Sequence, residues 1–244
     1  MLRKDARYLL VLFVCVIPSM ALATPITAVV GGPSYTLQQV IDAGGLRVGD
    51  KTFTDWWVDT AKSSNALAPS AGEINVSALQ VSGEWGIQFT GAWMAGYNQL
   101  ADTSIIFKVT ADAPYLIHDN TLKMTGYGAE LGGIVNITEN VYARDPRVYN
   151  DESLADKFVY KNSQTNRKKT VDHQIFYDPD TGDEAALPSV WIVKDIGVTG
   201  GITNPDGMAA LSVFTQTFSQ IPEPATLGLL ALGGLVMLQR RARR

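Results

Sequence analysis

The chain reads as a mainly β protein, an antiparallel β-sandwich or jelly roll placed between one apolar segment at each end. Three features predict this. Short stretches rich in β-branched and aromatic side chains recur through residues 24–220, turn residues separate them, and almost no helical period intervenes. Of 244 residues, 46% are apolar and 18% charged, which is too apolar for a chain disordered throughout.

The elements can be placed in order. Thr36-Leu37-Gln38-Gln39-Val40-Ile41-Asp42-Ala43 puts Leu37, Val40 and Ile41 on one helical face, with Thr36 or Ser34 as cap and Gly44-Gly45 as stop. Strands are expected at 46–48, 52–56, 73–81, 86–89, 104–110, 121–125, 133–141, 157–160, 173–177, 189–198 and 208–219. Gly49-Asp50, Ser82-Gly83, Asn98-Gln99, Asp119-Asn120, 178–182 and 204–207 read as turns. Many short strands with turns at this spacing favour a sandwich. No fixed-period repeat and no Pro/Ser-rich linker divides residues 24–220, so they form one domain.

Composition excludes some functions. Residues 24–221 carry 13 basic and 22 acidic side chains, net −9, which argues against a nucleic-acid partner. The basic run Arg167-Lys168-Lys169 follows a polar stretch and reads as a solvated loop or hairpin tip. Cys15 is the only cysteine, so a chain beginning near Thr24 has no disulfide, thiolate nucleophile or cysteine metal site.

The two ends face a different solvent. A basic start, the apolar run Tyr8–Ile17 and the small-x-small Ala21-Leu22-Ala23 form a secretory signal peptide over residues 1–23. Ten apolar residues reach about 15 Å as a helix, roughly half the hydrocarbon thickness, which favours cleavage over anchoring. At the other end, Ile221-Pro222-Glu223-Pro224 precedes the polar-poor stretch 225–238, Gln239, and then Arg240, Arg241, Arg243 and Arg244. This is a stop-transfer pattern, with the arginines on the cytoplasmic side and the body outside. Fourteen residues span only about 21 Å as a helix, so the anchor is a marginal one.

The order of Pro222-Glu223-Pro224, an apolar Leu/Ala/Gly helix and a terminal arginine cluster resembles the PEP-CTERM sorting signal, here 221–244, of proteins handled by exosortase, a membrane enzyme of Gram-negative bacteria. The resemblance implies export, transient residence in the inner membrane, processing near the Pro-Glu-Pro motif by an exosortase-type partner, and delivery to the cell surface or an exopolysaccharide matrix. Two prolines favour extended backbone, which keeps the segment before the helix accessible. In the body, 36–45, Val48-Gly49-Asp50-Lys51-Thr52-Phe53 and Val109-Thr110-Ala111-Asp112 are similar to a recurring group of uncharacterised exported PEP-CTERM proteins, which implies a shared β-rich body and no particular activity.

Chemistry-bearing residues are sparse. His118 and His173 lack a second histidine or carboxylate at metal spacing and a neighbouring nucleophile, so no catalytic residue is expected and the chain reads as a non-enzyme. Paired carboxylates could serve glycoside hydrolysis, but no spacing singles out a pair. Asp178, Asp180 and Asp183 lie on an acidic turn whose oxygen ligands suit calcium, although the spacing departs from an EF-hand loop. No other cofactor is implied. Trp56, Trp57, Trp85, Trp93 and Trp191 offer flat faces for saccharide stacking, the first four being the candidates for a binding module, and adjacent Trp56 and Trp57 on a strand must point to opposite sheet faces. Core packing is the competing role for each ring. The sequence therefore predicts an exported surface or matrix protein, with a carbohydrate-binding module as the alternative and a carboxylate-dependent hydrolase third.

Overall fold

The computed structural model describes residues 23–61, 63–66 and 68–223. All eleven expected strands form: β3 (Leu46–Val48), β4 (Lys51–Asp59), β5 (Asn75–Val81), β6 (Glu84–Ala95), β7 (Leu100–Ala111), β8 (Tyr115–Glu130), β9 (Ile134–Tyr142), β10 (Ala155–Asn162), β12 (Val171–Ile175), β13 (Ser189–Thr199) and β14 (Met208–Pro222). Three short strands join them: β1 (Ile26–Ala28), β2 (Tyr35–Thr36) and β11 (Arg167–Lys169). The basic run thus forms β11, which pairs back onto the end of β10 with all three side chains exposed.

Two sheets stack face to face. One runs β1-β3-β4-β7-β13-β9-β10-β11 and the other β12-β8-β14-β6-β5-β2. Pairing is antiparallel except between β1 and β3. The helix α1 (Leu37–Asp42) begins at a capping box in which the Thr36 hydroxyl accepts from the Gln39 N–H and the Gln39 side chain accepts from the Thr36 N–H. Its buried Leu37 and Val40 pack on the core, and it ends where Gly44 and Gly45 donate to the Ile41 and Val40 carbonyls. Between β5 and β6 the two-residue turn Ser82-Gly83 has positive φ at both positions, the geometry that matches strand twist and that glycine adopts without strain.

Strand alternation divides inside from outside. In β13, Val190, Ile192, Lys194, Ile196 and Val198 are buried, while Trp191, Val193 and Asp195 face out. The β4, β7, β6 and β14 end of the interior is aromatic. Trp56 stacks on Phe107 at 4.5 Å, Phe89 on Phe214 at 4.7 Å, and Phe53 meets Phe218 across the gap at 5.9 Å.

The β8, β9, β10 and β13 side holds a buried polar cluster among its aliphatic residues. Asp119 and Asn120, expected as a turn, sit inside β8, where each makes a bond to a distant strand: Asp119 accepts from the Ser219 hydroxyl and Asn120 donates to Glu139. Tertiary bonds override the local turn preference of Asp-Asn. Glu139 on β9 lies in register between Lys157 on β10 and Lys194 on β13, and all three are buried. Burial pushes the Glu139 carboxyl up, but Lys194 and Lys157 more than reverse this and hold it below the ordinary carboxylate value.

Glu139→Gln leaves two buried lysines without their counter-charge and is expected to lose about 3–5 kcal/mol of unfolding free energy in urea titration at neutral pH. Because the folded pKa is depressed, the Glu139 contribution is whole above about pH 4.3, the unfolded value, and fades as pH falls through the lower folded value. The gap in stability between wild type and Glu139→Gln should therefore narrow in acid.

Candidate functional site

Among the described residues three regions present chemistry to the outside: the end of β14, the outer face of the larger sheet, and a cleft beside the acidic turn. Strand β14 keeps its pairing with β8 to the last step, where Pro222 stands opposite Tyr115, and the Glu223 N–H donates to the Pro114 carbonyl at 2.8 Å. Pro222 tolerates this terminal position because it has no N–H to leave unpaired. Ile221 and Pro222 are exposed and Glu223 half-buried. The paired sheet thus runs directly into the Pro-Glu-Pro motif.

Pro224, the apolar stretch 225–238 and Arg240, Arg241, Arg243 and Arg244 lie outside the described residues, as does Ala21 of the expected cleavage site. Ala23 is exposed on irregular backbone shortly before β1. Among the described residues no helix is long and apolar enough to cross a membrane.

The outer face of the larger sheet carries aromatic rings among polar side chains. Trp57 pairs with Ile106, whose neighbours Ile105 and Phe107 point inward, so Trp57 points out and is 40% exposed while Trp56 turns into the core. Trp191 faces out two strands away, beside Tyr142 on β9. Phe158, 42% exposed, stacks on Tyr160 at 5.1 Å on β10. Burial, with the Asp156 charge added, raises the Tyr142 hydroxyl above its ordinary pKa, so it stays a neutral donor. Over Trp191 lies the Arg147 guanidinium, 5.0 Å from the ring, held by two bonds to Asp145 that keep the Asp145 carboxyl below its usual value.

The expected tryptophans therefore separate. Trp93 is fully buried and donates to the Thr103 hydroxyl at 2.9 Å, so it has no face to offer a sugar. Trp56 packs on Phe107. Trp85 lies against the Gly49 turn so closely that a Cβ at Gly49 would meet its ring at 2.3 Å, and it lines a small groove with Asp50 and Gln220. Of the four binding-module candidates, Trp57 alone stands on the aromatic outer face. Trp191, weighed with the other four tryptophans, also stands on this face; Phe158 and Tyr160 were not singled out from sequence, although alternation in 155–162 carried the signal.

A cleft of about 440 Å³ lies between the 143–154 and 178–187 segments, with Arg144, Asp151, Glu152, Asp178 and Asp180 on its walls. Arg144 grips Asp151 through two nitrogens, Nε at 2.7 Å. The acidic turn is closed by its own backbone, Asp178 N–H to the Asp183 carbonyl at 2.8 Å, and Asp178 Oδ1 accepts from the Asp180 N–H. Asp183 does not line the cleft, and among the described residues no three His, Cys, Asp or Glu side chains gather to hold a metal. The proposed calcium set is not brought together. His118 meets Glu184 at 3.2 Å, and His173 Nδ1 meets the Thr121 hydroxyl at 3.0 Å.

The family comparison bears on the first region. A model described as the PEP-CTERM protein-sorting motif matches residues 220–244, which begin in the last paired residues of β14. The chain carries a PEP-CTERM sorting motif. Among curated proteins none matches in sequence. Solved structures share little with it. TmCBM61 in complex with beta-1,4-galactotriose aligns with 79% of this chain and all of its own, at 11% identity and TM-score 0.28. The xylan-binding module CBM15 covers 69% of this chain and 96% of its own, at 10% identity and TM-score 0.26. A family 11 carbohydrate-binding module from Clostridium thermocellum, in complex with a mixed-linked tetrasaccharide, covers 72% and 99%, at 9% identity and TM-score 0.22. Likeness at this level carries no argument about ligand.

The two classes of tryptophan should respond differently to truncation. Trp93→Ala is expected to lose about 3–5 kcal/mol of stability by opening a cavity and stranding Thr103, whereas Trp57→Ala should lose less than about 1 kcal/mol. Denaturant titration of both variants measures the difference.

Proposed function

We propose that this is an exported, non-enzymatic cell-surface or exopolysaccharide-matrix protein, held briefly in the inner membrane by residues 225–238 and processed near Pro222-Glu223-Pro224 by an exosortase-type enzyme. The sorting motif carries this reading. Its position in the fold supports it: β14 runs to Pro222, so the motif begins at the rim of the sandwich and the whole body rides directly on the anchor. A processing enzyme must work within a residue or two of the sheet, where only the Glu223 to Pro114 bond and the Pro222 step would have to open. Deletion of residues 224–244 leaves β14 and that bond whole. The truncated chain is expected in the soluble periplasmic or medium fraction, with the intact chain found in the membrane fraction alongside a shortened form ending near Pro222; a truncated chain that stays in the membrane fraction defeats the reading.

A second activity, saccharide binding by the body, is favoured by the outward rings of Trp57, Trp191, Phe158 and Tyr160 interleaved with Asn136, Asn140 and Thr138 on one sheet face. Flat rings stack on sugar faces while amides and hydroxyls bond to their edges. Removing one stacking ring is expected to weaken binding by about 1 kcal/mol, roughly fivefold in Kd. Affinity electrophoresis of wild type, Trp57→Ala and Trp93→Phe across a panel of polysaccharides tests it: Trp57→Ala should lose retention and Trp93→Phe keep it.

A further inference from the structure

The buried Glu139 cluster contains reactive groups that neither sorting nor surface binding uses. Lys157, Glu139 and Lys194 project from adjacent strands into the interior, and Asn120 on β8 and Gln216 on β14 reach the same carboxylate from the opposite sheet. Asn120 Nδ2 donates to Glu139 Oε1 at 2.7 Å and Gln216 Nε2 to the same oxygen at 2.9 Å, while Lys194 donates to Oε2. Lys157 Nζ stands 3.3 Å from Oε1 in poor alignment and has no hydrogen-bond acceptor; Asn120 Oδ1 has no donor. The residues concerned are buried to 2% exposure or less, with the rings of Phe176 and Phe214 each 5.7 Å from a lysine nitrogen.

Charge makes this arrangement incomplete. Two ammonium groups share one carboxylate, so a positive charge is left over in a dry interior, where an unbalanced ion is strongly disfavoured. Burial pushes the Lys194 ammonium down, with Glu139 opposing, and leaves it below its ordinary value. Deprotonation is one relief. Covalent conversion of an amine to an amide is another, and the groups it needs are already assembled.

We propose that the cluster is a self-modification site at which Lys157 Nζ attacks Cγ of Asn120, assisted by Glu139, to form an isopeptide bond between β10 and β8. The assignment rests on position. Lys157 Nζ and Asn120 Nδ2 touch the same oxygen, at 3.3 and 2.7 Å, and therefore lie within 6.0 Å of each other. Strand β10 packs directly against β8 across the gap. Lys194, by contrast, is already engaged with Oε2.

The reaction balances without an oxidant. Lys157 gives a proton to Glu139 and attacks as a neutral amine; its electron pair forms the N–C bond while the carbonyl pair moves to Oδ1. The attacking nitrogen gives up a second proton, Nδ2 receives the protons it needs through Glu139 Oε1, to which it is already bonded, and the Cγ–Nδ2 bond breaks as the Oδ1 pair returns. In sum, an ammonium and a carboxamide become a secondary amide and an ammonium ion. The surplus charge leaves with the product, and the Lys194–Glu139 pair that remains is neutral. The new bond would tie the two sheets together near the β10–β11 edge.

Peptide mapping of the purified chain, unfolded and cut with trypsin, tests this. Nearly all molecules are expected to yield a branched peptide joining residues 109–123 to 148–161, uncut at Lys157 and lighter by one ammonia than its two parts. Asn120→Asp should form the same link with loss of one water, and Lys157→Met should give only linear peptides. Wild-type mapping does not depend on any variant folding. Recovery of separate peptides with cleavage after Lys157 overturns the proposal, and a link between Lys194 and Gln216 overturns the assignment.

Discussion

One inward carboxylate sets the geometry of the larger sheet. Glu139 can meet Lys157 and Lys194 only when β9, β10 and β13 keep the observed register, because a slip of one residue would turn its side chain outward and leave both lysines buried without it. Asn120 and Gln216 extend the constraint across the gap, so the same group also aligns β8 and β14 with the opposite sheet. Apolar packing tolerates small shifts; a buried charged cluster does not.

Alternation then assigns work to faces. What points inward from β13 holds the sandwich together, and what points outward, Trp191 among it, faces the surroundings. The separation of Trp56 from Trp57 follows the same rule within one dipeptide, despite the irregular register between Thr54 and Trp57. The outer face is thus a consequence of how the inner face packs. Arg147 over Trp191 shows that loops also reach this surface, partly covering one ring while Trp57 remains open.

The sorting motif meets the fold at a strand end. Since β14 lies between β8 and β6, inside its sheet, force on the C terminus is transmitted along paired backbone into the middle of the sandwich and not to a loose edge. Such a placement suits a body that must stay folded while its tail is held elsewhere.

The strand positions, the helix with its Thr36 cap and the terminal motif were legible in the chain because each depends on local pattern: period two, a capping residue, an ordered run of Pro-Glu-Pro, apolar and arginine residues. Only two-residue and three-residue strands escaped, being too short for periodicity to register. Asp119-Asn120 misled as a turn, and which of its two weighed roles Trp93 takes was not legible, because their surroundings come from residues distant in sequence, Ser219, Glu139 and Thr103 among them. The meeting of Glu139, Lys157, Lys194, Asn120 and Gln216 could not be read from one dimension at all, since charge, amide and amine become neighbours only when two sheets close on each other. Sequence by itself determined which segments become strands and that the chain carries a sorting motif; tertiary structure decided which side chains see water and which see one another, since burial is a property of packed layers and not of any single strand.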